Sequence, residues 1–321
     1  MKKLYTEQLK KHILFDPLGL DVNQLYIVAG YATPNMASWL MRNIELPNNR
    51  KIDINLVVGM VPLDGLSVSV HNGFQELMSE ELPDSVNSFT CSYVYNSRPV
   101  HSKLYIWAKN GIPVKAFTGS ANFTQAAFGT NRRELMYECD PAEAMSYYEQ
   151  IEGNSIYCNH AEIEEYVLLH PTHEILDRDN RVLTPFEEAG IESVTLSLLT
   201  KTGETGSKSG INWGQRSGRN PNEAYISLPA HIARSGFFPL EKAHFTVVTD
   251  DGHTLILRVE QQNDKAITTP LSNALLGEYI RNRIGVANGA YVWKRDLINY
   301  GRTDIKFYKF DDEQFYMEFG V

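Results

Sequence analysis

The sequence predicts an α/β domain followed by a smaller, mainly β domain of barrel-like architecture. Three observations support this division. The chain has 321 residues, a length typical of two domains. Apolar strands alternate with helices up to about residue 154, whereas short strands separated by turns dominate after residue 190. A polar segment with weak hydrophobic periodicity lies between these two regions.

The first domain, assigned to residues 1–175, opens with strands and helices in alternation. A helix is expected at 33–44, because Thr33 can cap its first turn and Pro34 fits its first position. Further helices are expected at 67–80 and 142–154. Buried apolar strands are expected at 24–32, 51–60, 88–95, 103–109 and 114–122. This alternation is typical of a layered α/β domain.

Residues 176–190 are expected to form a linker, because they lie in a polar stretch that contains two prolines. The second domain is assigned to residues 191–321. Strands are expected at 193–199, 224–229, 244–252, 254–262, 290–297, 305–312 and 314–320, and helices at 229–237 and 273–285. Many short strands with two helices are typical of a compact β barrel.

The charge of the chain is unevenly distributed. Its net charge of −9 does not by itself indicate nucleic-acid binding. Residues 191–321, however, carry 15 basic and 15 acidic residues, whereas the first 190 residues carry 15 and 24. Within 201–219, four cations accompany a single acid, Glu204. A phosphate backbone responds to such local charge, because screening removes the effect of distant charges over about 10 Å.

The cysteines and the apolar segments indicate a cytoplasmic protein. Cys91, Cys139 and Cys158 are odd in number and lack the spacing of a zinc site or a redox pair, so free thiols in a reducing compartment are expected. The first 15 residues lack the apolar run of a signal peptide. No apolar stretch approaches the roughly 18 residues that span a bilayer, and no membrane contact is expected.

Two short motifs have the composition of ligand sites without their spacing. His170 and His173 suggest a metal pair, but Pro171 disfavours the helix that would align them, and no third ligand is near in sequence. The GETGSKSG stretch places a serine between its central glycine and Lys208, so it lacks the spacing of an ATP-binding loop. We therefore expect neither a metal nor a cofactor.

The stretch from Val100 to Thr124 carries chemistry suited to a phosphate ester. His101 and Lys103 lie two positions apart in a predicted strand, so their side chains are expected to project side by side. The imidazole can act as nucleophile or proton carrier, and the ammonium group can hold non-bridging oxygens. After the next strand, Ser120 and Asn122 lie on a turn and can donate hydrogen bonds to the same oxygens.

A carboxylate completes the set. Glu134 follows the turn and can orient an imidazole by accepting its second N–H. The ordered set of His-x-Lys, Gly-Ser-x-Asn and a later acid resembles the signature of the phospholipase D superfamily. The usual Asp after the Lys is absent from 107–110, as is common in the nuclease branch, which leaves Glu134 as the carboxylate. The catalytic residues that this resemblance implies are His101, Lys103, Ser120, Asn122 and Glu134.

The motif occurs once in the chain, whereas an active site in this superfamily takes two copies. The resemblance therefore implies a homodimer, formed through the first domain, with one shared site. It also implies a two-step mechanism without a metal. One His101 attacks phosphorus to give a phosphohistidine, and the other protonates the leaving oxygen and then activates water. Lys103 and Asn122 hold the charge on the phosphoryl oxygens.

Two segments of the second domain are candidate DNA-binding arms, at 200–223 and 261–273. Arg, Asn and Gln are the side chains that read base edges bidentately in a major groove, and Lys and Thr can contact phosphate. The alternative interpretation is a solvated loop and a charged hairpin. The candidate residues are Lys201, Lys208, Asn212, Trp213, Gln215, Arg216, Arg219, Asn220, Lys265, Thr268, Thr269 and Asn273.

The second domain also resembles a known DNA-binding domain. The stretches EAYISLPAHIARSGFFP, HFTVVTDDG, LGEYIRNRIG and DLINYGRTDIKFY are similar to the pseudobarrel domain of certain restriction endonucleases, which is related to the B-three domain of plant transcription factors. The order of the two domains resembles that of the NgoFVII-type and BfiI-like restriction endonucleases. This resemblance implies sequence-specific, metal-independent cleavage of double-stranded DNA. Some members work beside a separate ATP-driven partner protein and a cognate methyltransferase.

Two other functions remain open at this point. One is a phosphodiesterase that acts on lipid or RNA, and the other is a DNA-binding regulator with an inactive nuclease fold. The presence of His101, Lys103, Asn122 and Glu134 argues against an inactive fold. The two candidate arms argue against a lipid substrate. Replacing Arg216 and Arg219 by Ala distinguishes these readings, because duplex binding should weaken only if the protein binds DNA.

Overall fold

The computed structural model describes residues 3–47, 49–79, 81–129 and 132–321. The chain divides between His170 and Pro171 into two compact units. The first is a layered α/β unit, and the second is a mainly β unit with a barrel-shaped sheet. The fold class expected from the sequence is thereby confirmed.

The first unit is built on one mixed sheet. Its strands are β1 (Leu4–Tyr5), β2 (Gln24–Ala29), β3 (Ile52–Val58), β5 (Val86–Val94), β6 (Leu104–Lys109), β7 (Ile112–Gly119), β8 (Met136–Cys139) and β9 (Ser155–Tyr157), while β4 (Leu66–Ser67) pairs separately with β10 (Leu169–His170). The eight strands follow the order β1-β8-β7-β6-β2-β3-β5-β9. β2, β3 and β5 are parallel neighbours, and β2 is antiparallel to β6.

Helices cover this sheet. They are α1 (Pro34–Asn43), α2 (Val61–Asp64), α3 (Val68–Ser79), α4 (Gln125–Phe128), α5 (Pro141–Glu152) and α6 (Ile163–Tyr166), preceded by a π-helical turn at Lys10–Phe15 and a 3-10 turn at Asp16–Gly19. α1 begins as predicted, with the Thr33 hydroxyl accepting the Met36 N–H at 3.3 Å. α5 packs Met145 and Tyr148 onto an apolar cluster that includes Val28 and Ile106 of the sheet.

The second unit is a nearly closed sheet around an aromatic core. Its strands are β11 (Ser193–Ser197), β12 (Ile226–Ser227), β13 (His244–Thr249), β14 (Thr254–Glu260), β15 (Ala266–Thr268), β16 (Asp304–Lys309) and β17 (Gln314–Glu318). They follow the order β11-β16-β17-β13-β14-β15-β12, and the two edge strands approach each other. The helical segments are a 3-10 turn at Gly210–Gln215, α7 (Ala230–Ala233), α8 (Ala274–Arg283) and α9 (Lys294–Tyr300). Phe237, Phe238, Phe245, Phe307 and Phe315 are fully buried inside.

The segment 290–297 differs from its expected structure. Its alternating aromatic and apolar residues predict a strand, but α9 begins at Lys294. The Asp296 side chain accepts the backbone N–H of Trp293 at 2.7 Å and so caps the first turn. Gly301 ends the helix with a φ of 103°. These local capping signals outweigh the short apolar pattern.

The segment expected as a linker is packed on the second unit. Phe186 is buried and stacks on Tyr308 with ring centroids 3.8 Å apart. Ile175 and Leu176 are buried in the same cluster. The backbone turns repeatedly here, and Leu176 bridges Val182. Turns of this kind leave no periodic apolar pattern, which is why the sequence suggests a linker.

The three cysteines are free thiols, as their number predicts. Cys91 and Cys158 are buried side by side, and the amide of Cys158 donates to the carbonyl of Cys91 at 3.0 Å. Burial raises the pKa of the Cys91 thiol well above its usual range. The Cys91 side chain is therefore a neutral part of the core.

Candidate active site and nucleic-acid interface

The expected catalytic residues lie where three strand ends meet. β2 ends at Ala29, β6 begins at Leu104 and β7 ends at Gly119. In the antiparallel pairing, Leu104 is opposite Val28 on one side and Thr118 on the other. The segments that continue from these ends, which carry His101, Lys103 and the 120–123 turn, therefore meet at the same end of the sheet.

His101 is exposed in the segment before β6, not within a strand. Its ring lies edge-on to the ring of Tyr31, with centroids 5.8 Å apart and an interplanar angle of 79°. A Cβ at Gly30 would lie only 2.9 Å from Cδ2 of His101, so a glycine leaves the space that this ring occupies. Among the described residues the imidazole makes no hydrogen bond.

Lys103 does not project beside His101 as the sequence suggests. Its side chain is buried, with the residue 5% exposed, and Nζ donates to the carbonyl oxygen of His101 at 2.6 Å. Burial lowers the pKa of Lys103, while the nearby Glu134 carboxylate acts in the opposite direction. The ammonium group thus lies beneath the backbone that carries the imidazole.

The 120–123 turn is joined to the segment after β2. Oδ1 of Asn122 accepts the backbone N–H of Tyr31 at 3.1 Å, and the N–H of Phe123 donates to the Tyr31 carbonyl at 3.1 Å. Since Oδ1 is occupied, the amide nitrogen of Asn122 is the group that remains to donate, and it has no partner among the described residues. Asn122 is therefore joined to the backbone of Tyr31, whose ring lies against His101.

Ser120 and Glu134 form a pair of their own. The Ser120 hydroxyl donates to the Glu134 carboxylate and accepts the N–H of Leu135 at 3.0 Å. The sequence suggests Ser120 as a donor to phosphate and Glu134 as a partner of the imidazole. Within the described chain, Ser120 instead holds Glu134, and Glu134 makes no hydrogen bond to His101.

Tyr31 and Asp64 belong to this site and were not found from the sequence. The Tyr31 hydroxyl donates to Asp64 at 2.6 Å, which raises the pKa of the phenol. This bond holds the tyrosine ring against His101. Tyr31 follows a buried strand directly, which is the only sequence signal for it. Asp64 is 33 residues away, and only the tertiary structure joins the two.

The arm at 200–223 is held in place by hydrogen bonds from buried side chains. Arg281 is fully buried and donates to five backbone carbonyls, of Ile211, Pro221, Asn222, Gly277 and Ala290. Asn212 is also fully buried, and its amide donates to the carbonyls of Gly206 and Val292 at 3.1 and 2.9 Å. Asn212 is therefore a structural residue and is withdrawn as a base-reading candidate.

The outer side of this arm carries the basic residues. Lys201, Lys208, Arg216, Arg219 and Asn220 are exposed. The guanidinium of Arg219 lies 3.9 Å from the ring centroid of the half-buried Trp213, and it pairs with Glu223. Arg216 donates through Nε to the Lys208 carbonyl at 2.8 Å. Cations held in this way present a defined pattern of charge.

Gln215 is half-buried on this arm. Its amide donates to the carbonyls of Pro221 and Gly289 at 3.1 and 3.2 Å. These bonds fix the path of the arm and occupy the amide nitrogen.

The second candidate arm is shorter than expected. Residues 261–265 form the exposed connection between β14 and β15, and Lys265 is exposed there. Thr268 and Thr269 are buried and donate to Asn273 Oδ1 at 2.8 Å and to the Ser272 carbonyl at 2.5 Å. Both threonines are withdrawn as DNA contacts, because their hydroxyls hold the turn before α8. Asn273 is half-buried and serves the same turn.

Two features are absent from the described residues. They contain no group of three or more His, Cys, Asp or Glu side chains that could hold a metal ion. No helix among them is long and apolar enough to cross a membrane.

Three solved structures are similar to part of the chain. NucT from Helicobacter pylori is 16% identical, covers 48% of this chain and 96% of its own, and gives a TM-score of 0.32. Nuc, a phospholipase D family member from Salmonella typhimurium, is 15% identical, with coverages of 48% and 94% and a TM-score of 0.31. Polyphosphate kinase from Porphyromonas gingivalis is 13% identical, with coverages of 50% and 26% and a TM-score of 0.33. No curated protein sequence matches the chain.

Family models match both units. Residues 7–165 match the NgoFVII restriction endonuclease N-terminal PLD domain, where PLD denotes phospholipase D. Residues 186–311 match the NgoFVII C-terminal B3-like DNA-binding domain. The first match contains the whole His101 site, and the second contains the basic arm. With both domains present in this order, the chain belongs to the NgoFVII restriction endonucleases, a family of phospholipase D-like nucleases with a C-terminal DNA-binding domain.

Proposed function

We propose that the protein is a sequence-specific restriction endonuclease that cuts double-stranded DNA without a metal, through a phosphohistidine on His101. The observation that supports this best is the grouping of an exposed imidazole, a buried ammonium and a free amide donor at one end of the sheet. These groups supply a nucleophile and a positive environment for a phosphodiester. The DNA-binding domain on the same chain favours DNA over lipid or RNA.

In the first step, a ring nitrogen of His101 attacks phosphorus. A P–N bond forms while the P–O bond to the leaving nucleotide breaks. An imidazolium from a second copy of the chain gives its proton to the leaving oxygen. The Lys103 ammonium and the Asn122 amide stabilise the negative charge that builds on the non-bridging oxygens.

In the second step, the imidazole that gave up its proton removes one from water. The water oxygen attacks phosphorus, the P–N bond breaks, and His101 is regenerated. Glu134, held by Ser120, favours the charged form of Lys103 throughout. Both steps balance without an oxidant, a reductant or a metal-bound water.

The chemistry requires two imidazoles in opposite protonation states at one phosphorus. Each chain carries the His-x-Lys motif once. We therefore propose a homodimer, formed through the first unit, with one shared site. Sedimentation of the purified protein should give twice the chain mass of 36.4 kDa.

The test is cleavage of a plasmid in excess EDTA by wild type, His101→Ala and His160→Ala. His160 is an exposed histidine of the first unit outside the site and serves as the matched control. Discrete fragments are expected from the wild type and from His160→Ala, and none from His101→Ala. Fragments that persist in His101→Ala, or that appear only when Mg²⁺ is restored, would contradict the proposal.

The protein is proposed to act in the cytoplasm, where its host's DNA needs protection by a methyltransferase of the same specificity. A separate ATP-driven protein is a further proposed partner. If the purified chain binds duplex DNA but does not cut it, adding a cell extract with ATP should restore cleavage. His101→Ala should remain inactive under the same conditions, because the partner does not supply the nucleophile.

A further inference from the structure

We propose that Trp293 and Arg295 contact the DNA duplex, so that the DNA-binding surface of the second unit extends beyond the two arms. This inference rests on the proposed function, because duplex DNA is taken as the ligand. It assigns a role to the segment 291–295, which the sequence suggests is a strand of the barrel.

Trp293 is unusually open to solvent. It is 53% exposed, whereas Trp107 is buried and Trp39 and Trp213 are half-buried. The ring of the half-buried Tyr291 lies 4.5 Å from the Trp293 ring and packs beside this exposed indole. A large aromatic surface left in water is a marker of a binding site.

A cation lies over this aromatic face. The guanidinium of Arg295 is 5.6 Å from the Trp293 ring centroid, and its side chain is 76% exposed. Its nearest acid is Asp296, 3.9 Å from Nε, and Asp296 is also engaged by the backbone N–H of Trp293. The terminal nitrogens of Arg295 therefore face solvent beside a flat ring. This pairing suits a nucleic-acid backbone, where a phosphate and an apolar sugar edge alternate.

The same face is continuous with the basic arm. Asn212 of the arm donates to the Val292 carbonyl at 2.9 Å and accepts the Val292 N–H at 2.9 Å. Lys294 forms an ion pair with Glu204 of the arm at 3.4 Å. These bonds hold 291–295 beside 200–212 as one surface.

The charge of this surface favours a polyanion. Lys201, Lys208, Arg216 and Arg219 are exposed on the arm, and Arg295 adds a fifth cation. The acid in this part of the arm, Glu204, is already paired with Lys294. Local positive charge of this kind attracts a phosphate backbone even when the whole chain is acidic.

The test measures binding of a 30-base-pair duplex of random sequence by fluorescence anisotropy at several salt concentrations. The full chain is used with His101→Ala in every sample, which prevents cleavage. Trp293→Ala and Arg295→Ala are compared with Arg181→Ala, whose arginine is 74% exposed on the same unit. Trp293→Ala and Arg295→Ala should each raise Kd about fivefold, and Arg295→Ala should lower the salt slope by about one. Arg181→Ala should change neither quantity.

A second readout follows the tryptophan itself. In Trp213→Phe the remaining tryptophans are Trp39, Trp107 and Trp293, of which Trp293 is the exposed one. Bound duplex should protect its fluorescence from quenching by acrylamide. Melting temperatures of Trp293→Ala and Arg295→Ala should match that of the parent protein, since both substituted side chains are exposed.

Two results overturn the inference in different ways. If the parent protein binds the duplex but Trp293→Ala and Arg295→Ala bind as Arg181→Ala does, the surface does not contact DNA and the proposed function stands. If the parent protein binds no duplex even at low salt, both the inference and the proposed function fall.

Discussion

The ammonium group of Lys103 is held almost out of water, 2.6 Å from the carbonyl of His101. Burial lowers its pKa, and the charge of Glu134 compensates only in part. Because the charged form is the one that can hold phosphoryl oxygens, activity should fall as Lys103 loses its proton. A lowered pKa places that fall below the ordinary lysine value of 10.5.

The first prediction concerns the alkaline limit of activity. Lys103→Arg should have a lower rate but keep its activity to higher pH, because a guanidinium retains its proton up to about pH 12.5. The measurement is kcat/KM for a small phosphodiester as a function of pH. The same alkaline limit in both proteins would show that another group sets it.

The second prediction concerns Tyr31. Tyr31→Leu removes the ring that restrains His101 and should lower the single-turnover rate about tenfold without changing duplex affinity. Tyr31→Phe keeps the ring and loses the bond to Asp64, so its loss should be smaller. Equal losses in the two variants would place the effect in the hydroxyl instead.

Some of the predicted site residues lie close together in the fold because they are close in the sequence. His101, Lys103 and Asn122 lie within 22 positions, and adjacent strands bring them together. Asn212, Thr268 and Thr269 show the opposite case. A polar side chain that holds a buried turn looks identical in sequence to one that faces DNA, because burial depends on contacts such as those with Val292 and Asn273.

At the scale of elements, the arm at 200–223 depends on α8. Arg281 extends from this helix and satisfies five backbone carbonyls, several of them in the arm. Burial lowers the pKa of the Arg281 guanidinium, and Coulombic attraction to Glu278 acts in the opposite direction. One buried side chain thus replaces the regular hydrogen bonding that the arm lacks.

The third prediction tests this support. Arg281→Met should lower the free energy of unfolding by about 3 kcal/mol or more, since it leaves buried carbonyls without donors. Trypsin should then cut the arm at Lys201, Lys208 or Arg216. Arg234→Met, at an exposed arginine, is the control and should leave both measurements unchanged. A protected arm in Arg281→Met would mean that Asn212 suffices.

Elements with strong local signals were predictable. α1 has its Thr33 cap and Pro34 at the expected positions. The segment of α9 is predicted as a strand, because its helix signals are confined to the caps, Asp296 at the start and Gly301 at the end, and a short apolar run precedes it. The sequence pattern was too short to distinguish the two periods.

At the scale of the whole molecule, the two units divide cleavage from recognition. The fourth prediction is that His101→Ala abolishes cleavage while leaving the Kd for duplex DNA unchanged. The double variant Arg216→Ala, Arg219→Ala should behave oppositely. Its Kd should rise about tenfold and its salt slope should fall by about two, while hydrolysis of a small phosphodiester continues. Loss of both activities in either variant would contradict this division.

The sequence predicts two units, but it does not show that the segment expected as a linker packs on the second unit. Phe186 and its neighbours occupy a polar stretch, and their stacking on Tyr308 requires a strand more than 100 residues later. Contacts at such separation leave no trace in local periodicity. The same limit explains why the pairing of Tyr31 with Asp64 appeared only in the structure.

The fixed arm has a thermodynamic consequence for specificity. Because Arg281 and Asn212 hold the arm in the folded protein, its backbone has little conformational entropy left to lose on binding the proposed DNA ligand. A rigid arm also cannot rearrange to replace the hydrogen bonds that are lost at an incorrect base pair. Discrimination between sites should therefore appear as faster dissociation from incorrect sequences, with association rates that vary little from one sequence to another.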